Sequence, residues 1–179
     1  ACGKDEEDNT ANGGNGTQHG LDIAGNTVVY DGTTYRVDQV EVDYYHSDLT
    51  LASAHSSDTL ADGSPRLIVD GLHITSSLWN TTLNLANLDQ WEDGTVMSLI
   101  FSGALDIAYS AYFNGDKDIS GHIGEVDYNH ESIFTNATLH VEGNNDGSPF
   151  TVTLDGTLKN GKTLQMKLTS PDYHDQVNR

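Results

Sequence analysis

Apolar and polar side chains alternate in three consecutive runs between residues 136 and 169. The apolar members of the runs are Leu139 and Val141, then Phe150, Val152 and Leu154, then Leu164, Met166 and Leu168. A period of two places each apolar set on one face of an extended strand. Residues 143–149 and the Asn160-Gly161 pair separate the runs with turn-forming side chains. The pattern predicts a three-stranded antiparallel meander with one apolar face, which the rest of the chain must cover.

A second hairpin signal lies nearer the N-terminus. The Asp31-Gly32 pair separates two short strand-like runs, residues 27–30 and 33–37, as in a tight β-hairpin. The apolar positions that start at Val40 are shifted by one residue relative to those before them. We therefore expect a bulge or a bend at Asp38-Gln39.

Further short runs with strand character continue through the middle of the chain. They cover residues 49–54, 66–75, 81–88, 96–101, 105–113 and 120–128. The run 66–75 predicts a strand, or a strand pair broken at Asp70-Gly71. The run 96–101 is apolar enough to predict a central strand. Helical periodicity is not sustained anywhere. About ten to twelve short strands with Gly, Asn and Asp turns predict an all-β, antiparallel β-sandwich, with a closed lipocalin-like β-barrel as the alternative.

The chain divides into three segments by composition. Residues 1–20 contain almost no apolar side chain and predict a flexible acidic tether. Residues 21–170 carry the strand signals and predict a single antiparallel β domain. Residues 171–179 predict a polar C-terminal tail.

The charge balance excludes some classes of partner. The formal net charge is −19, from 27 acidic and 8 basic residues. Nucleic acids and anionic membrane surfaces are bound by clustered Lys and Arg, so neither is expected as a partner. The acidic surface favours solubility and permits cation binding.

The single cysteine, Cys2, excludes an internal disulfide and a zinc site that needs two cysteines. The run Cys2-Gly3-Lys4-Asp5-Glu6-Glu7-Asp8 resembles the processed start of a bacterial lipoprotein. More narrowly, it resembles the acidic export signal of Bacteroidetes surface lipoproteins, a lysine followed by acids. The resemblance implies a lipid on Cys2, anchoring in the outer membrane and display at the cell surface, with the lipid as the only membrane contact.

Two stretches of the β domain resemble small Bacteroidetes lipoproteins of unassigned function. They are residues 26–35, Asn-Thr-Val-Val-Tyr-Asp-Gly-Thr-Thr-Tyr, and the Asp-Gly and Asn-Gly-Lys hairpin segment of residues 150–164. The resemblance implies a β-rich surface protein and brings no catalytic residues with it. Asp58-Thr59-Leu60 is similar to the acceptor of Bacteroidetes O-glycosylation.

Oxygen-bearing side chains alternate at one turn. Asn114, Asp116 and Asp118 favour a hard cation such as calcium, although a plain hairpin turn has the same composition. Residues 114–118 lack the ligand spacing of an EF-hand. Residues 144–146 form a second turn that is rich in side-chain oxygens. Capture of haem or a transition metal by the eight histidines is a further alternative, with His73 and His122 placed in strands. We expect no cofactor other than calcium.

The aromatic residues are the main candidates for ligand contact. Trp91 lies in the polar stretch of residues 89–94, which predicts a loop and an exposed ring. Trp79, Tyr44 and Tyr45 add ring surface. Exposed rings beside Asp and Asn are suited to stacking on sugars. The alternative interpretation is that Trp79 belongs to the core and Trp91 caps it.

No catalytic motif is present. The chain has no Gly-x-Ser-x-Gly elbow, P-loop or Gly-x-Gly-x-x-Gly, and its many acids do not single out a glycosidase pair. We expect a protein that is not an enzyme and that binds an extracellular glycan or protein. The alternatives are a small-ligand carrier, lipocalin-like or capturing haem or metal, and a glycan hydrolase.

Overall fold

The computed structural model describes residues 21–46 and 48–177, which form two antiparallel sheets packed face to face. The first strands of the chain are β1 (Thr27–Tyr30), β2 (Thr33–Arg36), β3 (Gln39–His46), β4 (Leu49–His55), β5 (Leu67–Thr75) and β6 (Thr81–Asn84). They are followed by β7 (Thr95–Gly103), β8 (Ile107–Asn114), β9 (Asp116–Ile123), β10 (Val126–Asn129), β11 (Phe134–Glu142), β12 (Thr151–Leu158) and β13 (Thr163–Thr169). Two one-turn helices complete the described chain, a 3-10 turn at Ser76–Leu78 and α1 at His174–Val177.

The smaller sheet contains both of the predicted hairpins. Its strand order is β11-β12-β13-β1-β2, so the C-terminal meander and the N-terminal hairpin share one sheet. Strand β6 lies outside β11, where Asn80 donates its backbone N–H to Val141 at 2.7 Å and Leu85 donates to Ala137 at 3.0 Å. In the turn between β1 and β2, Asp31 and Gly32 have φ angles of 50° and 83°, a left-handed conformation that Gly and Asp tolerate best.

The larger sheet has the order β10-β9-β8-β7-β5-β4-β3. Strand β7 is its middle strand, which confirms that the apolar run 96–101 is central. Residues 67–75 form one continuous strand. Asp70 and Gly71 lie between the pairs Ala52–Leu72 and Ala54–Val69, so two residues of β5 oppose one of β4. The sequence signal at Asp70-Gly71 therefore marks a β-bulge within the strand.

The chain passes from one sheet to the other between β2 and β3. Arg36 ends a strand of the smaller sheet and Gln39 begins a strand of the larger one, with Val37 fully buried between them. This crossing explains why the apolar positions change phase at Asp38-Gln39. The predicted irregularity is real, and its cause is a change of sheet.

The core lies between the two sheets. Met166, Leu139 and Leu154 of the smaller sheet are fully buried, as are Leu99 and Ile74 of the larger one. Buried residues alternate with more exposed ones along strands such as β4, β7 and β13, as one apolar face per sheet requires. The two sheets are not joined into a closed ring, which confirms the antiparallel β-sandwich. The alternative of a closed barrel is wrong.

The described helices are short. Neither the 3-10 turn nor α1, nor any other part of residues 21–46 and 48–177, provides a helix of the length and hydropathy that a bilayer crossing needs.

Candidate functional site

The side chain of Trp91 is buried, with 5% of its surface exposed. Its indole N–H donates a 2.9 Å hydrogen bond to the carbonyl of Asn84, and its backbone N–H bonds to Leu88. The segment after β6 therefore folds back and inserts the ring into the core. The prediction that this ring is exposed is wrong, because its polar neighbours face solvent while the indole points inward. The burial agrees with the alternative interpretation, in which Trp91 caps the core.

Trp79 is half-buried and packs edge-on against Phe150, with the ring centroids 5.2 Å apart. Phe150 in turn packs against Tyr173 at 5.8 Å. Trp79 thus belongs to an aromatic cluster at the core boundary. The buried indole N–H of Trp79 has no hydrogen-bond acceptor among the described residues.

Tyr44 and Tyr45 are successive residues of β3 at a register shift between Tyr44 and His46, and they differ in burial. Tyr44 is partly buried against the core, whereas 60% of Tyr45 is exposed on the outer face of the larger sheet. Of the four predicted ring contacts, only Tyr45 presents a largely exposed ring. The four rings do not form one exposed binding surface.

Asn114, Asp116 and Asp118 lie at the exposed β8–β9 hairpin, where Asn114 pairs with Asp116 across the turn. Within residues 21–46 and 48–177, no group of three or more His, Cys, Asp or Glu side chains is placed to hold a metal ion. Calcium at this hairpin stays a prediction.

His73 and His122 share the larger sheet, but β7 and β8 separate their strands. At about 4.8 Å per strand the two backbones are about 14 Å apart. His122 makes a 2.7 Å contact with Asp106, and partial burial lowers the pKa of His73, which favours its neutral form. The structure does not bring these two histidines together.

A polar groove of about 440 Å³ lies where β6 and the loop after it meet β11. We call it the amide groove, and define it by six lining residues: Asn84, Asn87, Thr135, Asn136, Thr138 and Asp155. The methyl groups of Ala86 and Ala137 add a small apolar area to its wall. No aromatic side chain lines it.

Local turns fix two of the amides. The side-chain oxygen of Asn84 accepts the backbone N–H groups of Ala86 and Asn87, at 2.9 and 3.1 Å. The side-chain oxygen of Asn87 accepts the N–H of Asp89 at 2.9 Å. Each of these two side chains thereby keeps its NH₂ group available as a donor. The turns that Asn84 and Asn87 stabilise also hold these two side chains at the groove.

The wall formed by β11 and β12 adds both donors and acceptors. The side chain of Asn136 is exposed and makes no hydrogen bond with a described residue. Asp155 accepts one hydrogen bond at 3.1 Å, from Gln165, which leaves further lone pairs of its carboxylate unused. The groove therefore offers NH₂ donors and carboxylate or amide acceptors within one concave surface.

No pattern in the sequence points directly to this groove. Asn84 and Asn136 are 52 positions apart, and they meet only because β6 lies beside β11. The repeated Asn at positions 84 and 87 was the available signal, although such residues are also typical of plain turns. No protein-family model, curated protein or solved structure matches the chain in the three comparisons made.

Proposed function

We propose that this chain is a lipid-anchored cell-surface protein that binds an extracellular glycan, without catalysis, through the amide groove. The observation that carries the proposal is the groove itself, which presents three asparagine side chains and one aspartate in a concavity of about 440 Å³. Sugar hydroxyls are both donors and acceptors, and a wall that offers both kinds of partner is complementary to them.

The groove is suited to an uncharged ligand. Its amides and hydroxyls carry no charge, and Asp155 is the only ionisable side chain among its lining residues. Because no ring lines the groove, stacking contributes nothing there and hydrogen bonds supply the specificity. The expected ligand is a neutral sugar, held by its hydroxyl groups.

Replacing Asn136 with alanine is expected to weaken glycan binding by about three- to tenfold, the usual effect of losing one hydrogen bond. Asn87→Ala is expected to have a similar effect. The ligand is first identified on an array of neutral glycans, and its affinity is then measured by calorimetry. Asn129→Ala is the matched control, because Asn129 is an exposed asparagine in β10 of the other sheet.

Two results would contradict the glycan proposal. One is an array without a saturable neutral ligand. The other is a ligand whose affinity is the same for the Asn87→Ala, Asn136→Ala and Asn129→Ala variants, because its binding would then be independent of the groove.

The Cys2→Ala variant is expected to move from the membrane fraction to the soluble fraction and to incorporate no labelled palmitate. Residues 1–20 lie outside the described part of the structure, so this anchor rests on the sequence of residues 2–8. Acyl chains on one cysteine hold a soluble domain at a bilayer by burying their methylene groups. The control is Lys4→Ala, which keeps the cysteine. A Cys2→Ala form that remains membrane-bound would refute the anchor.

A further inference from the structure

A second concavity, of about 350 Å³, lies at the sheet crossing and the loop after β4. We call it the arginine cleft. It contains Tyr35, Arg36, Asp38, Ser57, Asp58 and Arg66. The chain has three arginines, and both of those in the described part of the structure line this one cleft. In a protein with a net charge of −19, that placement marks a local concentration of cationic donors.

The two carboxylates of the cleft are occupied by contacts within the protein. Asp38 accepts the hydroxyl of Ser57 at 2.7 Å and its backbone N–H at 2.9 Å, and these bonds hold the pKa of Asp38 below its usual value. Asp58 accepts the N–H of Thr59 at 3.1 Å and the Nε–H of Arg66 at 2.9 Å. Both acids therefore serve to hold the loop and one arginine in place.

Two hydrogen bonds orient the side chain of Arg66 but do not use all of its N–H donors. Its Nε donates to Asp58, and its Nη2 donates to the carbonyl of Thr59 at 3.1 Å. A guanidinium has five N–H groups in a planar fork, so donors on its outer edge remain. The side chain of Arg66 is 43% exposed, which leaves these donors accessible.

The side chain of Arg36 makes no hydrogen bond and no ion pair with a described residue, and its electrostatic effect there is to lower the pKa of Asp38. The described lysines differ, because each has a partner. The pairs are Lys117 with Asp89, Lys159 with Glu131, Lys162 with Asp31 and Lys167 with the carbonyl of Leu21. Arg36 is thus an exposed cation that the fold leaves without a partner of its own.

We propose that the arginine cleft binds the carboxylate of an acidic sugar, with Arg36 as the principal donor and Arg66 as a pre-oriented second donor. A guanidinium fork matches a carboxylate through two parallel hydrogen bonds. Tyr35 and Ser57 also line the cleft, so an aromatic ring and a hydroxyl oxygen are available to the sugar. The volume suits one or two sugar rings.

The net charge of the protein disfavours ligands that carry many negative charges. A polyanion brings many negative charges against a surface of net charge −19, which repels it at long range. One carboxylate on an otherwise neutral glycan meets a cleft in which Arg36 and Arg66 balance the charges of the two aspartates, and the unused guanidinium N–H donors can bind it. The expected ligand is therefore a sugar with a single acidic group, such as a uronic acid at a chain end.

This site is separate from the amide groove. The cleft involves β2 and the groove involves β11, which are the two ends of the strand order β11-β12-β13-β1-β2. Four strand spacings separate them, about 19 Å. The inference does not depend on the proposed function, and either site can fail without the other.

The test is calorimetric titration of the full chain with methyl β-D-glucuronide and with its methyl ester, which keeps the ring and removes the charge. We expect saturable binding of the acid and at least a tenfold weaker affinity for the ester. Arg36→Ala is expected to weaken binding of the acid about tenfold or more, the effect of losing a charge-assisted pair. Arg36→Lys should restore only part of the affinity, because lysine keeps the charge and loses the fork.

Lys117→Ala is the matched control, since it removes a cation from the distant β8–β9 hairpin. The melting temperature of each variant confirms that it is folded, and an exposed Arg36 should leave that temperature unchanged. The inference is overturned if the acid does not bind, if the ester binds equally well, or if Arg36→Ala and Lys117→Ala bind alike. Asn136→Ala should leave glucuronide binding unchanged, so the two sites are tested independently.

Discussion

The Trp91→Ala variant is expected to lose about 3–5 kcal/mol of unfolding free energy, the range for removing a large aromatic side chain from a core. The indole is 5% exposed, and its N–H satisfies the carbonyl of Asn84 at 2.9 Å. Alanine leaves a cavity and removes the donor from that carbonyl at the same time. Urea unfolding followed by circular dichroism measures the change.

Two further variants test whether the loss comes from burial of the ring. Trp91→Phe removes the indole N–H, and Tyr112→Ala removes an exposed ring as a control. The phenylalanine keeps most of the apolar volume and should lose less than the alanine variant. Tyr112 is 42% exposed on the outer face of β8, and its removal should cost about 1 kcal/mol or less. A Trp91→Ala protein as stable as the unsubstituted chain would show that the ring is outside the core.

Trp91 also shows where local sequence patterns fail. Its neighbours Glu92 and Asp93 are exposed, and the stretch is a loop as predicted. The direction of a single side chain in a loop has no periodicity to reveal it, unlike a position in a strand. The backbone N–H of Trp91 donates a hydrogen bond to the carbonyl of Leu88, and the resulting turn directs the indole into the core. The packing of the Trp91 indole against the core depends on the fold, and the local composition does not reveal it.

Strands and hairpins were predictable because their determinants are local. The alternation in residues 136–169 became β11, β12 and β13, and the Asp31-Gly32 turn joins β1 to β2. Each hairpin pairs residues that are close in the sequence, so the turn residues and the period of two are sufficient. The crossing at Asp38-Gln39 was detected as a change of phase, although its cause was visible only in three dimensions.

Both candidate sites depend on contacts between side chains that are distant in the sequence, which the pattern does not encode. Strand β1 pairs with β13, and β6 lies beside β11. The amide groove requires the second of these arrangements, and the arginine cleft requires the β2–β3 crossing to meet the loop after β4. In the sequence, Arg36 and Arg66 are two scattered bases among many acids. Their significance follows from their common location and from the absence of a partner for Arg36 within the described chain.

Gly121→Ala is expected to destabilise the protein by about 3 kcal/mol or more, the upper part of the range for overpacking. Gly121 lies in β9 and pairs with Tyr109 of β8. A Cβ atom built at Gly121 would lie 2.1 Å from the carbonyl oxygen of Ala108 and 2.9 Å from a methyl group of Ile133. The nearer atom belongs to the backbone of the paired strand, so a rotamer change cannot relieve the overlap and β8 and β9 must separate.

Gly25→Ala is the matched control, because a Cβ atom there meets nothing within 4 Å. It is expected to be neutral or to stabilise by up to about 1 kcal/mol, since alanine restricts the unfolded chain. Urea unfolding of both variants compares the same chemical change in two environments. Equal stabilities would mean that β8 and β9 are not held at the observed spacing. A loss confined to Gly121→Ala would instead show that this strand pair tolerates no side chain between Ala108 and Ile133, which makes the glycine a requirement of the larger sheet.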